Sequence, residues 1–147
     1  MDELVSTMKR CLANTFVFYF KTHGFHWNIE GINFPTYHGF FGDLYEELFE
    51  AVDPMAEEIR SLDAYAPSGL NELYKYATIS DSDLKGDVVR EMIVEALKDN
   101  ATLLGDLNAG FAQATRENKQ GLADFIAGRI DVHKKHEWML RSCLKGA

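Results

Sequence analysis

In the stretch HGFHWNIEGINFPTYHG, residues 23–39, two histidines, His26 and His38, stand twelve positions apart across a turn. Asp53 follows His38 by fifteen residues, and Glu57 follows Asp53 by four. Imidazole nitrogen combined with carboxylate oxygen suits iron, zinc or manganese. Asp53 and Glu57, at i and i+4, share one face of a helix and form a half-site. His38 and Asp53 fall on one predicted helix, where fifteen residues at 1.5 Å each span about 22 Å. No single ion touches both within one chain. A two-fold axis that pairs two chains head to tail brings His26 and His38 of one subunit to Asp53 and Glu57 of the other. Metal binding and dimerisation are then one event, and the sites come in symmetric pairs.

Each of these residues also has a reading without metal. A histidine at the end of an aromatic-rich helix packs against its neighbours or caps the helix end. Asp53 before Pro54 fits an N-cap with proline at N1, restarting a kinked helix. The acidic residues around it fit a solvated face. His23 is a further ligand candidate on the polar edge of its helix, while His133 and His136, in HKKHEW, sit amid charge and are expected at the surface.

The elements that must position these side chains are helical. From about residue 3 to 30, Leu12, Phe16, Tyr19 and Trp27 recur at helical spacing. Gly31 fits the left-handed residue after a helix end, and Pro35 fits the first turn of the next helix, about 35 to 62. That second segment carries Leu44, Leu48, Met55, Ile59 and Leu62 on one stripe and Glu46, Glu50, Asp53 and Glu57 on another. A third pattern, Val89, Ile93, Ala96, Leu103, Leu107 and Phe111, follows the capping-type run Ser80-Asp81-Ser82-Asp83. A fourth, Leu122, Ile126, Ile130, Leu140 and Leu144, follows Asn118-Lys119-Gln120-Gly121. About twenty residues, with a possible short helix at 71–76, separate the second and third. A connection this long spans the length of a bundle. Two antiparallel pairs joined by one long crossover make an all-α, ferritin-like four-helix bundle, and 147 residues fit a single domain over 1–147.

Composition narrows the function. The formal net charge of -8 opposes phosphate backbones, whose binding rests on lysine and arginine. Cys11 and Cys143 lie far apart with no CxxC pair, so neither a disulfide nor a thiolate metal site is expected, and a reducing cytoplasm is the expected location. Met1-Asp2-Glu3-Leu4 lacks the basic start of a signal peptide, and no apolar run reaches the roughly 18 residues of a membrane span.

The stretches HWNIEGINFPTYH, DLYEELFEAVDPMAEEI and DFIAGRIDVHKKHEWMLRSCL resemble Dps, the DNA-protection-during-starvation branch of the ferritin-like proteins. The order His, twelve on to His, fifteen on to Asp, four on to Glu is specific. The resemblance implies a hollow homo-dodecamer with ferroxidase sites at its two-fold interfaces. The implied ligands are His26 and His38 from one subunit and Asp53 and Glu57 from its neighbour. There Fe(II) is oxidised by hydrogen peroxide, or by dioxygen, and ferric mineral is stored in the cavity, which protects against oxidative damage. Zinc is the alternative occupant of the same site. Trp27 matches the family's tryptophan beside the site, as a packing residue and redox neighbour.

Two departures from the family pattern stand out. Members often carry Asp four residues after the second histidine, where this chain has Gly42, and an acidic residue directly after it, where this chain has Gly39. A weakly held second iron, supported by water or Glu46, is therefore expected, and a ferritin-like shell or interaction protein with weakened or lost ferroxidase activity is the alternative reading. The lysine-rich tail of DNA-binding members is absent, so duplex binding is expected to be weak or missing. Glu46 and Glu50 are expected to face a mineral lumen, and Asp124 and Asp131 to line a pore.

Overall fold

The computed structural model describes residues 2–146. Its helices are α1 (Glu3–Asn28), α2 (Phe34–Ser61), α3 (Leu70–Tyr76), α4 (Val89–Arg116) and α5 (Gln120–Cys143), and no named strand occurs among the described residues. α1 starts at Asp2, whose carboxylate accepts the Leu4 N–H at 3.0 Å. It packs on α2, α3 and α4, and α4 pairs with α5. The long helices thus form two antiparallel pairs, with α3 riding on the crossover that joins them, and the helical spacing of the sequence had placed each of them within a few residues.

The core runs the length of the bundle through Leu4, Met8, Phe18, Phe41, Leu48, Met55, Ile93, Leu103, Ile126 and Leu140. Burying a side chain of this size stabilises by about 1.5–3 kcal/mol. The turn between α1 and α2 is held to the end of the crossover, because Glu30 N–H donates to Gly86 O at 3.1 Å and Gly86 N–H donates to Asn28 O at 2.9 Å. Gly31 has φ +129°, a backbone conformation that favours glycine in the turn.

Two buried polar groups of α1 fasten the crossover and α4. Asn14 of α1 accepts the N–H groups of Thr78 and Ile79 at 2.8 and 3.0 Å. It donates to Thr78 Oγ1 at 3.0 Å and to Asp106 Oδ2 at 2.7 Å, so every hydrogen-bonding group of its side chain is used. Lys21 is buried and reaches Glu95 at 2.7 Å and Asp99 at 2.6 Å, tying α1 to α4.

Three expectations change. α2 is one continuous helix through Pro54, so Asp53 is not the N-cap of a restarted one. Its face stays apolar toward the core on both sides of the proline, and packing outweighs the single backbone bond that Pro54 cannot make. The run Ser80–Asp83 does not cap α4, which begins at Val89 with no side-chain cap. Ser82 instead closes a turn within the crossover, accepting the Leu84 N–H at 3.3 Å. His133 is not at the surface: it is 0 % exposed, and His136 is partly buried, because the α5 face that carries them packs into the bundle.

Candidate metal centre

The short turn folds the last residues of α1 back over the first residues of α2 and stacks His26 on His38, with ring centroids 3.8 Å apart and planes 16° off parallel. His26 Nδ1–H donates to the backbone oxygen of His38 at 2.6 Å, and His38 Nδ1–H donates to the backbone oxygen of His26 at 2.7 Å. A carbonyl only accepts, so each ring carries its proton on Nδ1. In the neutral ring Nε2 keeps its lone pair. A backbone carbonyl on one ring nitrogen is the arrangement that orients the other nitrogen of a metal-binding histidine. Because a lone pair lies in its ring plane, near-parallel rings 3.8 Å apart do not converge on one ion.

Neighbouring side chains hold the pair in place. Phe34 stacks on His38 at 4.8 Å, and Tyr45 lies 5.2 Å from His26. His23 is clamped between Tyr45, stacked at 3.8 Å, and Trp27, at 4.2 Å, and its Nδ1 shares a 3.0 Å hydrogen bond with the Tyr19 hydroxyl. Burial, and then the neighbouring His26, lower its affinity for a proton. Trp27 is 56 % exposed and packs on His23 rather than on His26.

Gly42 takes on a new meaning here. A Cβ at this position would come within 3.2 Å of both Cε1 and Nδ1 of His26. The missing side chain is the space in which the His26 ring lies against α2. The sequence pattern marks Gly42 as a departure from a family carboxylate, and the packing marks it as the room that the His26 ring occupies.

Asp53 and Glu57 are exposed on one face of α2, about 22 Å along the helix from His38. Among the described residues no three histidine, cysteine, aspartate or glutamate side chains converge as metal donors. Within one chain the histidine pair and the carboxylate pair are therefore two separate groups. Asp43, Glu46, Glu50, Asp124 and Asp131 are exposed as well. Around the histidines, Phe20, Trp27 and Phe49 expose 52, 56 and 55 % of their surfaces.

The sequence pattern of the Ferritin family, described as a ferritin-like domain, matches residues 6–146. The DNA protection during starvation protein of Brevibacillus brevis is 31% identical over 146 residues, covering 99% of this chain and 97% of that protein. The crystal structure of the Dps protein of Vibrio cholerae O1, described as a member of a superfamily of ferritin-like diiron-carboxylate proteins, superposes with a TM-score of 0.92 at 28% identity, covering 97% of this chain and 89% of that one. A zinc-soaked Dps from Listeria innocua superposes with a TM-score of 0.90 at 25% identity, covering 97% and 96%. No helix among the described residues is long and apolar enough to cross a membrane.

Proposed function

This chain belongs to the Dps family of the ferritin-like superfamily, and from that premise we propose that it oxidises Fe(II) at intersubunit sites and stores the ferric product inside a dodecameric cage. The observation that carries the proposal is the reciprocal pair of Nδ1–H bonds, which leaves the Nε2 lone pairs of His26 and His38 available together. Asp53 and Glu57 of the partner subunit complete the donor set. A partner at this face also covers Phe20, Trp27 and Phe49, since exposed apolar patches mark interaction surfaces. The mixed nitrogen and oxygen donors fit iron and also zinc, which would compete for the same positions.

Two ferrous ions held side by side each give one electron to one hydrogen peroxide. With two protons this yields two ferric ions and two waters, so no hydroxyl radical is released. The imidazoles stay neutral and fixed through the change, and the anionic carboxylates offset the charge gained by the metal. Trp27, one ring beyond His23, is the redox neighbour. Dioxygen is the alternative oxidant. Glu46 and Glu50 face the lumen, where carboxylates gather cations, and the acidic exterior gives weak duplex binding or none.

His38→Ala and Asp53→Ala each abolish peroxide-dependent Fe(II) oxidation, followed by ferric absorbance in the assembled protein, without dispersing the cage. Full activity in either variant overturns the assignment. A shell without oxidation chemistry is the second reading, favoured by the absence of a carboxylate at Gly42; it predicts an inert wild type. Sizing separates the cage from a dimer, since twelve chains of 16.7 kDa come to about 200 kDa.

A further inference from the structure

Away from the metal centre, α5 meets α2 and α4 through five polar side chains: Glu47 of α2, Asn100 of α4, and Arg129, His133 and His136 of α5. His133 and Asn100 are fully buried, and the Arg129 side chain is 9% exposed. Each nitrogen of the His133 ring faces a partner that allows it one role. Asn100 Nδ2 donates to the backbone oxygen of His133 at 2.9 Å, which turns Asn100 Oδ1 toward His133 Nδ1 at 2.8 Å. An amide oxygen accepts, so Nδ1 carries the proton. On the other side Arg129 Nη2 lies 2.8 Å from His133 Nε2. A guanidinium only donates, so Nε2 accepts. The same guanidinium grips Glu47 through both Nη1 and Nη2, and His136 Nε2 bonds Glu47 at 2.7 Å. The chain of contacts thus joins α2, α4 and α5, and it holds together only while the His133 ring is neutral.

We infer that His133 is an acid-sensitive latch for α5: a proton added at Nε2 stands against the N–H of Arg129, breaks the polar network, and releases α5 from α2 and α4. The charged and titratable groups that face the ring are Arg129 and His136 on its own helix and Glu47 on α2, with neutral Asn100 on α4. Burial, followed by the charges of Arg129 and His136, holds its proton affinity well below the ordinary value of 6.5, and only Glu47 opposes them. Glu47, whose side chain is 32% exposed, lines a cavity of about 190 Å³ with Phe40, Asp43, His136 and Met139, so it is the solvent-facing end of the network.

An opened α5 takes up a proton at His133 below about pH 6.5, whereas the closed one refuses it, so opening gains about tenfold per pH unit as pH falls. Glu47 has a separate window. Burial would raise it, but the hydrogen bonds from His136 and Arg129 overcome that and hold it at about 2, against an ordinary 4.5. Between pH 6.5 and 5 Glu47 stays ionised, so of these two groups only His133 responds.

Amide hydrogen exchange of the assembled full chain from pH 7 to 5, corrected for the intrinsic rate, tests the latch. Exchange in α5 between residues 126 and 140 is expected to rise about tenfold per pH unit below about 6.5, while the part of α1 between residues 4 and 18, before His23, stays level. An α5 that stays level, or that rises together with residues 4–18 of α1, overturns the inference. In His133→Gln, which has no ring to protonate, the α5 response is expected to vanish over the same interval. A retained response overturns the inference, and the wild-type profile decides alone where that variant fails to assemble.

Discussion

Replacing Gly42 by alanine places a methyl group 3.2 Å from both Cε1 and Nδ1 of His26. The ring cannot tilt freely to make room, because it is stacked on His38 at 3.8 Å and bonded through Nδ1 at 2.6 Å. A shift of a few tenths of an ångström away from α2 stretches that hydrogen bond, which is worth about 1 kcal/mol. Alanine inside a helix offsets the loss, being about 1 kcal/mol better than glycine. Urea unfolding is therefore expected to change by less than about 1 kcal/mol. Metal binding has no such compensation, since disturbing the partner that orients a ligating histidine costs roughly 10- to 100-fold in affinity. Zn(II) calorimetry on the assembled protein is the assay, because zinc binds without redox change. Gly42→Asp carries the same Cβ and adds a carboxylate one turn from His38. Weaker binding in both variants supports Gly42 as room for His26. Unchanged affinity in Gly42→Ala together with tighter binding in Gly42→Asp refutes it and restores glycine as a missing ligand.

Other expectations concern the polar groups of the bundle. Asn14→Ala strands the Thr78 and Ile79 N–H groups and is expected to cost about 1–3 kcal/mol for each; denaturation that matches wild type contradicts this. Lys21→Met leaves Asp99 and Glu95 without their cation, and the loss is expected to be about 3–5 kcal/mol at pH 7 by urea unfolding. Burial already raises Asp99, against the pull of Lys21, so the Lys21→Met defect shrinks as pH falls and the carboxyl protonates; a defect that grows on acidification contradicts this. For Glu47, whose acidity is enhanced from 4.5 to about 2, stability is present above 4.5 and lost as pH falls toward 2. In Glu47→Gln, circular dichroism titration is expected to lose that acid step, and a step that persists assigns it elsewhere.

The helices and the short turn that brings the ends carrying His26 and His38 together were legible because their signals are local: helical spacing of large apolar residues, and a glycine and a proline at the turn. The polar core was hidden because a buried polar residue and a solvated one read alike when apolar residues alone are counted. Asn14 and Lys21 continue a seven-residue spacing that begins at Thr7, and all three are buried. Asn100 falls between Ile93 and Leu107, and His133 between Ile126 and Leu140, each seven residues from its buried neighbours. That register was the available signal for His133, obscured by the charges of HKKHEW. Arg129 and Glu47 find each other across eighty-two residues, which no local pattern encodes. The role of Gly42 was equally out of reach, since it depends on where the ring of another helix comes to rest.

Complementation between two inactive variants tests most directly whether the site is shared between chains. One variant carries His26→Ala and His38→Ala, and the other carries Asp53→Ala and Glu57→Ala. Each alone is expected to be inactive in peroxide-dependent Fe(II) oxidation. When equal amounts are unfolded and assembled together, random pairing gives mixed dimers in which one of the two sites regains both donor pairs, so about a quarter of wild-type activity is expected to return. A co-assembled mixture that stays inactive, with mixed subunits verified by mass, contradicts the shared site.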